Sequence, residues 1–357
     1  MATLLHSQNH SSPLLPIIEA TTCLRQEASE FMMRVLVWLF FHAAVAGMAF
    51  AAPAHLTWSG QARIEALHLP ELDAGFQLLY ELKPEEARAQ FAAWQKSHSE
   101  DPLGSASEAA SYLFEVCYRQ GILTSEYFMD EKRFLGKNAL KPDQELRARF
   151  FSSVQQAQAL AQARLKIDPD DANALFVMTL SVGMQADYAS LIDKHQLESL
   201  RMISQADEYA TTLLAIAPDA ADAYFILGAA NYIIGSLPWH ERLLLRFNGI
   251  RGDKRGGIQQ LEIAAARGHY LRPFAKIFLA LAALRENKIK LARTQLAELV
   301  AEFPQNPLFA LELAKLSGSV SASWASPLHL QWPSDNATLF ASVLVSRCST
   351  SPFTTIQ

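Results

Sequence analysis

Residues 235–257 bring together aromatic and cationic side chains that could bind an anion. They read GSLPWHERLLLRFNGIRGDKRGG, and only Glu241 and Asp253 oppose their positive charges. Arginine presents several N–H donors in a planar fork that fits a carboxylate or a phosphate. This basic segment, residues 235–257, is therefore a candidate site for a carboxylate, a phosphate or an acidic peptide. The candidate residues are Trp239, His240, Arg242, Arg246, Arg251, Lys254 and Arg255.

Two interpretations of the basic segment remain open from the sequence. In the first, its glycine-rich end leads into a helix that starts near Gly257, and the first backbone N–H groups of that helix face an anion. In the second, Asp253 pairs with the arginines at a structural corner, and Trp239 and Phe247 pack beneath that corner.

The sequence lacks the common motifs of nucleophilic, metal-dependent and phosphate-binding catalysis. His240-Glu241 would begin an H-E-x-x-H zinc motif, but Leu244 stands where the second histidine belongs. There is no C-x-x-C, no G-x-S-x-G and no Walker loop. Acidic pairs such as Glu85-Glu86 suit the first turn of a helix, where the helix dipole favours negative charge. We therefore expect no catalytic residue, no metal ligand and no cofactor.

The elements that must position the basic segment are helices, and they repeat along the chain. Residues 166–176, KIDPDDANALF, are echoed by residues 215–225, AIAPDAADAYF, so that Pro169 aligns with Pro218; a third proline is Pro304. Three residues stand 12, 8 and 5 positions before each proline, which places each trio on one helical face. The trios are Ala157, Ala161 and Arg164; Ala206, Ala210 and Leu213; and Ala292, Leu296 and Leu299.

Each trio predicts a helix that lets a neighbour approach its small residue and that ends before its proline. Proline ends a helix because it has no N–H group and clashes with the preceding turn. The Asp or Asn that follows can cap the next helix. The pattern resembles the tetratricopeptide repeat (TPR), two antiparallel helices in about 34 residues. The best single unit covers residues 273–306, and a degenerate unit contains Ala87, Phe91 and Trp94.

This resemblance implies an all-α fold, a right-handed solenoid of TPR-like helical hairpins over residues 70–316. We expect irregular inserts, one around Tyr188–Gln196 and one in the basic segment. A helical pair cannot bury its apolar face alone, so neighbouring pairs must stack. Stacking is expected to leave an extended concave surface, lined by the first helix of each pair.

The N-terminal region carries a targeting signal. Residues 35–54 read VLVWLFFHAAVAGMAFAAPA and contain no charged residue. Arg34 precedes this run, and Ala49 and Ala51 near its end form the small-x-small pattern of a cleavage site. These features predict a signal peptide over residues 32–51 and export to the periplasm or the exterior. An uncleaved membrane anchor formed by residues 35–54 is the alternative, because the run is just long enough to cross a bilayer.

The flanking regions and the composition complete the prediction. Residues 1–31 are interpreted as a non-native or disordered leader, with translation starting at Met32 or Met33. Residues 317–357 form a Ser/Thr-rich tail that we expect to be poorly ordered. The chain has 357 residues, half of them hydrophobic, and a net charge of -5. Such a balance supports a sizeable core and provides no overall positive field for nucleic acid.

These features favour a non-catalytic interaction scaffold that holds a peptide or a partner subunit in its concave face. No nucleic-acid partner is expected, and a membrane contact only through the N-terminal anchor. A first alternative is a helical subunit of a cell-envelope assembly or transport complex. A second alternative is a helical-toroid enzyme acting on glycans or peptides, which would need a cleft with two facing carboxylates.

Overall fold

Helices follow one another along the part of the chain that the computed structural model describes, residues 69–317 apart from 131–132, 135, 137–139, 238 and 248–249. A π-helical turn, Tyr188–Ile192, extends the end of one of them. No strand occurs among the described residues, so the prediction of an all-α chain is confirmed at the level of class. The α-helices are α1 Pro70–Tyr80, α2 Pro84–Ser97, α3 Pro102–Arg119, α4 Ser125–Met129, α5 Gln144–Ile167, α6 Ala172–Asp187, α7 Gln196–Ile216, α8 Ala223–Ser236, α9 Trp239–Phe247, α10 Lys254–Arg267, α11 Arg272–Arg285, α12 Ile289–Glu302 and α13 Pro307–Leu316.

Prolines and short polar side chains start many of these helices. Proline occupies the first position of α1, α2, α3 and α13, where its fixed φ suits the helix and its missing N–H costs no hydrogen bond. Two of the predicted caps are confirmed. Asp171 accepts a hydrogen bond of 2.9 Å from the N–H of Ala174, and Asn306 accepts one of 2.8 Å from the N–H of Leu308.

The predicted helix ends and buried faces are also confirmed. Helices α5, α7 and α12 end at Ile167, Ile216 and Glu302, each two residues before its proline. The small and apolar members of the three trios are buried, since none exposes more than 6% of its surface. Arg164 is the exception: its Nε donates to Asp171 over 2.7 Å at the end of α5. The position that is apolar in the other two repeats is an ion pair here.

Consecutive helices pack in pairs, and inserted segments separate the two members of three pairs. Helices α3 and α5 pack across residues 120–143, α6 and α7 across the π-helical turn, and α8 and α10 across α9. The second and third of these inserts lie where the sequence predicted them. Helices α11 and α12 pack together with only a short turn between them. Each pair also contacts the next pair along the chain.

Contacts between helices that are far apart along the described chain distinguish this fold from an open stack, in which each repeat touches only its neighbours. The Tyr80 hydroxyl donates a hydrogen bond of 2.6 Å to the carbonyl of Tyr270, and the Asn306 amide donates one of 2.7 Å to the carbonyl of Tyr80. The rings of Phe114 in α3 and Phe274 in α11 lie 5.2 Å apart. Aromatic side chains therefore fill the space between α3 and α11, each the first helix of its pair, where the sequence predicted a concave surface.

Several predicted regions lie outside the described residues. They are the leader, residues 1–31; the signal peptide, residues 32–51, with the alternative anchor over residues 35–54; and the tail beyond residue 317.

Candidate functional site

Glycines hold the start of α10, here called the base of the basic segment, close to helix α8. Where α8 and α10 cross, a Cβ atom on Gly257 would lie 2.6 Å from the N of Tyr232 and 2.8 Å from the carbonyl oxygen of Gly228. A Cβ on Gly235 would overlap the backbone of Lys254. Glycine is required at such positions because a side chain would push the two backbones apart. Gly257, which the first interpretation placed at the start of an anion-binding helix, thus serves helix packing.

Helix α9 turns one face toward the fold and another toward solvent. Leu245 is only 8% exposed, whereas Trp239 is 71% exposed and Leu243 is 46% exposed. Trp239 and Leu243 stand four residues apart, so they share the outer face of the helix. The prediction that Trp239 packs beneath a salt-bridged corner is therefore wrong. The side chains of His240 and Phe247 lie outside the described part of the structure.

Four arginines of the basic segment are candidates for anion binding. Arg242, Arg246, Arg251 and Arg255 are all exposed. The Nη1 atom of Arg242 lies 3.5 Å from the carbonyl oxygen of Gly235, a long contact at the start of the segment. Within the side chains that the structure describes, no carboxylate pairs with any of the four. Their guanidinium groups retain most of their hydrogen-bond donors for an external anion.

Lys254, the remaining cationic candidate, is paired with a carboxylate of the protein itself, although its side chain is 46% exposed. Its Nζ lies 3.0 Å from Oε1 of Glu286 and 5.7 Å from the centre of the Tyr232 ring. A hydrogen bond from Lys288 and a second from Lys254 lower the pKa of Glu286. Lys254 therefore ties the base of the basic segment to the end of α11.

Asp253 caps the helix that follows the basic segment. Helix α10 begins at Lys254, not near Gly257 as the sequence predicted, and the carboxylate of Asp253 accepts a hydrogen bond of 3.0 Å from the N–H of Arg255. The helix N-terminus thus already holds an anionic group. Asp253 also pairs with none of the described arginine side chains, so its predicted place in a salt-bridge corner is wrong.

A second candidate is a cavity of about 350 Å³ between α1, the turn before α11 and the end of α12. In its wall, Nε2 of His269 lies 2.7 Å from Oδ1 of Asp73, and Arg272 pairs with Glu302. The sequence carries no signal for this contact, because Asp73 is 196 residues away from His269 and nothing local links the two. The cavity is lined by Asp73, Phe76, Gln77, Tyr80, Gly268, His269, Tyr270, Arg272, Pro273, Glu302 and Phe303.

The turn that carries His269 is held by one buried carboxylate. Asp222 accepts three backbone hydrogen bonds, from the N–H groups of His269, Tyr270 and Leu271, at 2.7, 2.9 and 3.1 Å. Burial raises the pKa of Asp222, and the three hydrogen bonds oppose that rise because they favour the charged form. The cavity wall is thus positioned by the start of α8.

Two further titratable groups lie near one another at the ends of α3 and α6. Burial raises the pKa of the Cys117 thiol, and the nearby Asp187 raises it further. Desolvation by the surrounding protein raises the pKa of the Asp187 carboxyl to about 7, although part of the residue is exposed to solvent. Among the described residues, no group of three His, Cys, Asp or Glu side chains has the arrangement of a metal site.

No protein-family model matches the sequence, and no curated protein is significantly similar to it. Within the described residues, one helical stretch, Ala172–Ile192, is long and apolar enough to cross a bilayer, and 72% of it is buried in the fold. Core helices of soluble proteins have the same property, so this stretch is weak support for a membrane span.

Proposed function

We propose that this chain is a non-catalytic, TPR-like helical scaffold that binds a protein or peptide partner. The observation that carries the proposal is the outer face of α9, where exposed Trp239 and Leu243 stand beside exposed Arg242 and Arg246. Tryptophan and arginine are the residues that most often contribute strongly to protein–protein binding. An exposed tryptophan between arginines is the expected form of such a surface before its partner is bound.

The architecture that we propose is a right-handed stack of TPR-like hairpins over residues 70–316. Helix ends at equal distances before Pro169, Pro218 and Pro304, with small residues buried on the same faces, support a repeated unit. We place the partner on the basic segment, and not between the first helices of the pairs, because Phe114 contacts Phe274 there. Export by the signal peptide at residues 32–51, or anchoring by residues 35–54, belongs to the same proposal.

A binding role accounts for the cavity better than a hydrolytic role does. Its two carboxylates, Asp73 and Glu302, each already hold a partner, His269 and Arg272 respectively. Both carboxylates are thus already engaged within the protein, which favours a structural role for them. The pairs instead join α1 to α11 and α12.

Selection from a random peptide library displayed on phage tests the proposal. The full chain should enrich a defined set of peptides, and the double variant Arg242→Glu with Arg246→Glu should not bind them. The control is Arg201→Glu with Lys166→Glu, which reverses two exposed charges on other helices. If no peptide is enriched, or if the first double variant binds as well as the control, the proposed role is wrong.

A further inference from the structure

We infer that the partner of the basic segment is an acidic protein segment that carries an apolar side chain between its carboxylates. This inference rests on the proposed function, since it names the chemistry of the partner at the same surface. It follows from charge, from the order of residues along α9, and from the way the segment is held.

The positive charge of the basic segment is local, and among the described side chains no carboxylate pairs with its arginines. The chain as a whole has a net charge of -5. Arg242 and Arg246 nevertheless stand one helical turn apart, without a described carboxylate between them. Like charges at this spacing destabilise a helix. A carboxylate from a partner would relieve that repulsion, and arginine binds carboxylates through two parallel hydrogen bonds.

The apolar groups lie on the same face as the arginines. Trp239, Arg242, Leu243 and Arg246 occupy positions i, i+3, i+4 and i+7 of α9, the spacing of one helical face. Leu245, on the other side, is buried. A partner that covers this face must therefore alternate carboxylates with an apolar side chain that packs on Trp239 and Leu243.

This mixture of side chains favours a protein over a lipid bilayer. A helix that lies in a membrane surface separates its apolar face, which enters the bilayer, from its basic face. On α9 both kinds of residue share the exposed face, and Leu245, which lies off that face, is buried. The tail of this chain is also a poor occupant, because residues 317–357 contain a single acidic residue, Asp335.

The segment is held in place at its base before any partner binds. The close crossing of α8 and α10 at Gly228 and Gly257 fixes one end, and the ion pair between Lys254 and Glu286 fixes the link to α11. A surface that is ordered in advance loses less conformational entropy on binding. Binding by α9 should therefore need no rearrangement of the helices beneath it.

Fluorescence anisotropy with a matched pair of peptides tests the inference. The probe is a fluorescein-labelled 15-residue peptide with four glutamates flanking two leucines, and its analogue has glutamine at those four positions. We expect the full chain to bind the glutamate peptide about tenfold more tightly in 50 mM NaCl, and to lose most of that advantage in 300 mM NaCl. Arg242→Glu with Arg246→Glu should weaken binding about tenfold or more, and Trp239→Ala by a similar factor. The control double variant, Arg201→Glu with Lys166→Glu, should bind as the native chain does.

Three outcomes would overturn the inference. The first is equal binding of the glutamine analogue, and the second is full binding by the Trp239→Ala variant. The third is co-sedimentation with phosphatidylglycerol vesicles that the charge-reversed variant loses, together with no binding of the glutamate peptide. In each case the scaffold proposal survives if the phage selection still enriches peptides, so the two failures can be distinguished. If the phage selection itself enriched no peptide, both the scaffold proposal and the inference of an acidic partner would be wrong.

Discussion

At the scale of single residues, Asp222 holds the turn before α11 in place. Its carboxylate accepts three backbone hydrogen bonds from the turn before α11. We expect Asp222→Ala to destabilise the protein by about 3 kcal/mol, because buried N–H donors left without an acceptor cost about 1–3 kcal/mol. The measurement is urea unfolding followed by circular dichroism.

The matched control is Asp219, three residues before Asp222 in the loop that leads into α8. Asp219 is 61% exposed and pairs with Arg267 at the surface. Asp219→Ala should change the free energy of unfolding by less than about 0.5 kcal/mol, as surface substitutions usually do. Equal losses in the two variants would show that the hydrogen bonds of Asp222 are not what stabilises the turn.

Asp187 gives the protein a pH dependence of defined sign. Its pKa is raised to about 7 in the folded protein, above that of an aspartate in an unfolded chain. The folded state therefore binds more protons between these two values, so the contribution of Asp187 to stability falls as the pH rises from about 4 to 7. Because the side chain is exposed, solvent screening reduces the size of this change in stability.

Asp187→Asn should accordingly stabilise the protein at pH 8 and leave its stability nearly unchanged at pH 4. Urea unfolding of both proteins at several pH values between 4 and 8 measures the difference. A difference in free energy of unfolding that is the same at every pH would contradict the raised pKa.

At the scale of elements, the crossing of α8 and α10 depends on glycine. Gly257→Ala would place a Cβ atom 2.6 Å from the backbone N of Tyr232, so the helices must separate. We expect a loss of about 3 kcal/mol or more, at the upper end of what overpacking costs. Thermal unfolding should show a lower Tm.

Gly183, inside α6, is the control for this substitution. Its nearest obstacle is the end of the Ile226 side chain at 3.3 Å, which can shift. Because alanine favours a helix by about 1 kcal/mol over glycine, Gly183→Ala should be neutral or slightly stabilising. If both variants lost stability equally, helix propensity and backbone contact could not be separated, and the argument from the close crossing would fail.

At the scale of the whole molecule, α13 is bonded to α1, and these two helices lie at the two ends of the described part of the chain. Asn306 caps α13 with its carbonyl oxygen and donates from its amide to the carbonyl of Tyr80, 226 residues away in sequence. We expect Asn306→Ala to reduce the hydrogen-exchange protection of α1 as well as that of α13. In an open stack of repeats, a change at one end would affect only its neighbour.

Ser317→Ala provides the local comparison, because the Ser317 hydroxyl bonds only within the last turn of α13, to the carbonyl of Leu313. That variant should change exchange at the end of α13 and leave α1 unaltered. Unchanged protection of α1 in Asn306→Ala would mean that the contact between the two ends carries little energy.

The sequence by itself determined the helices, many of their ends and the faces they bury. Proline and capping residues act on the nearest turn, and a helical face follows from a spacing of three or four residues, so both are visible in a short stretch of chain. This is why the ends of α5, α7 and α12 and the burial of Ala161, Ala210 and Ala292 agree with the prediction. The site could be predicted only as a set of residue types. Lys254 and Arg255 are neighbouring cations in the sequence, and nothing local shows that Lys254 pairs with Glu286.

Only the tertiary structure decided how those residues are used. It pairs Lys254 with Glu286, exposes Trp239, and assigns the glycines of the basic segment to a helix crossing. It also brings His269 to Asp73, and Tyr80 to Asn306. Such contacts join residues 19 to 226 positions apart, from Gly235 and Lys254 to Tyr80 and Asn306. They depend on how all the intervening helices stack, and that information is spread over the whole chain.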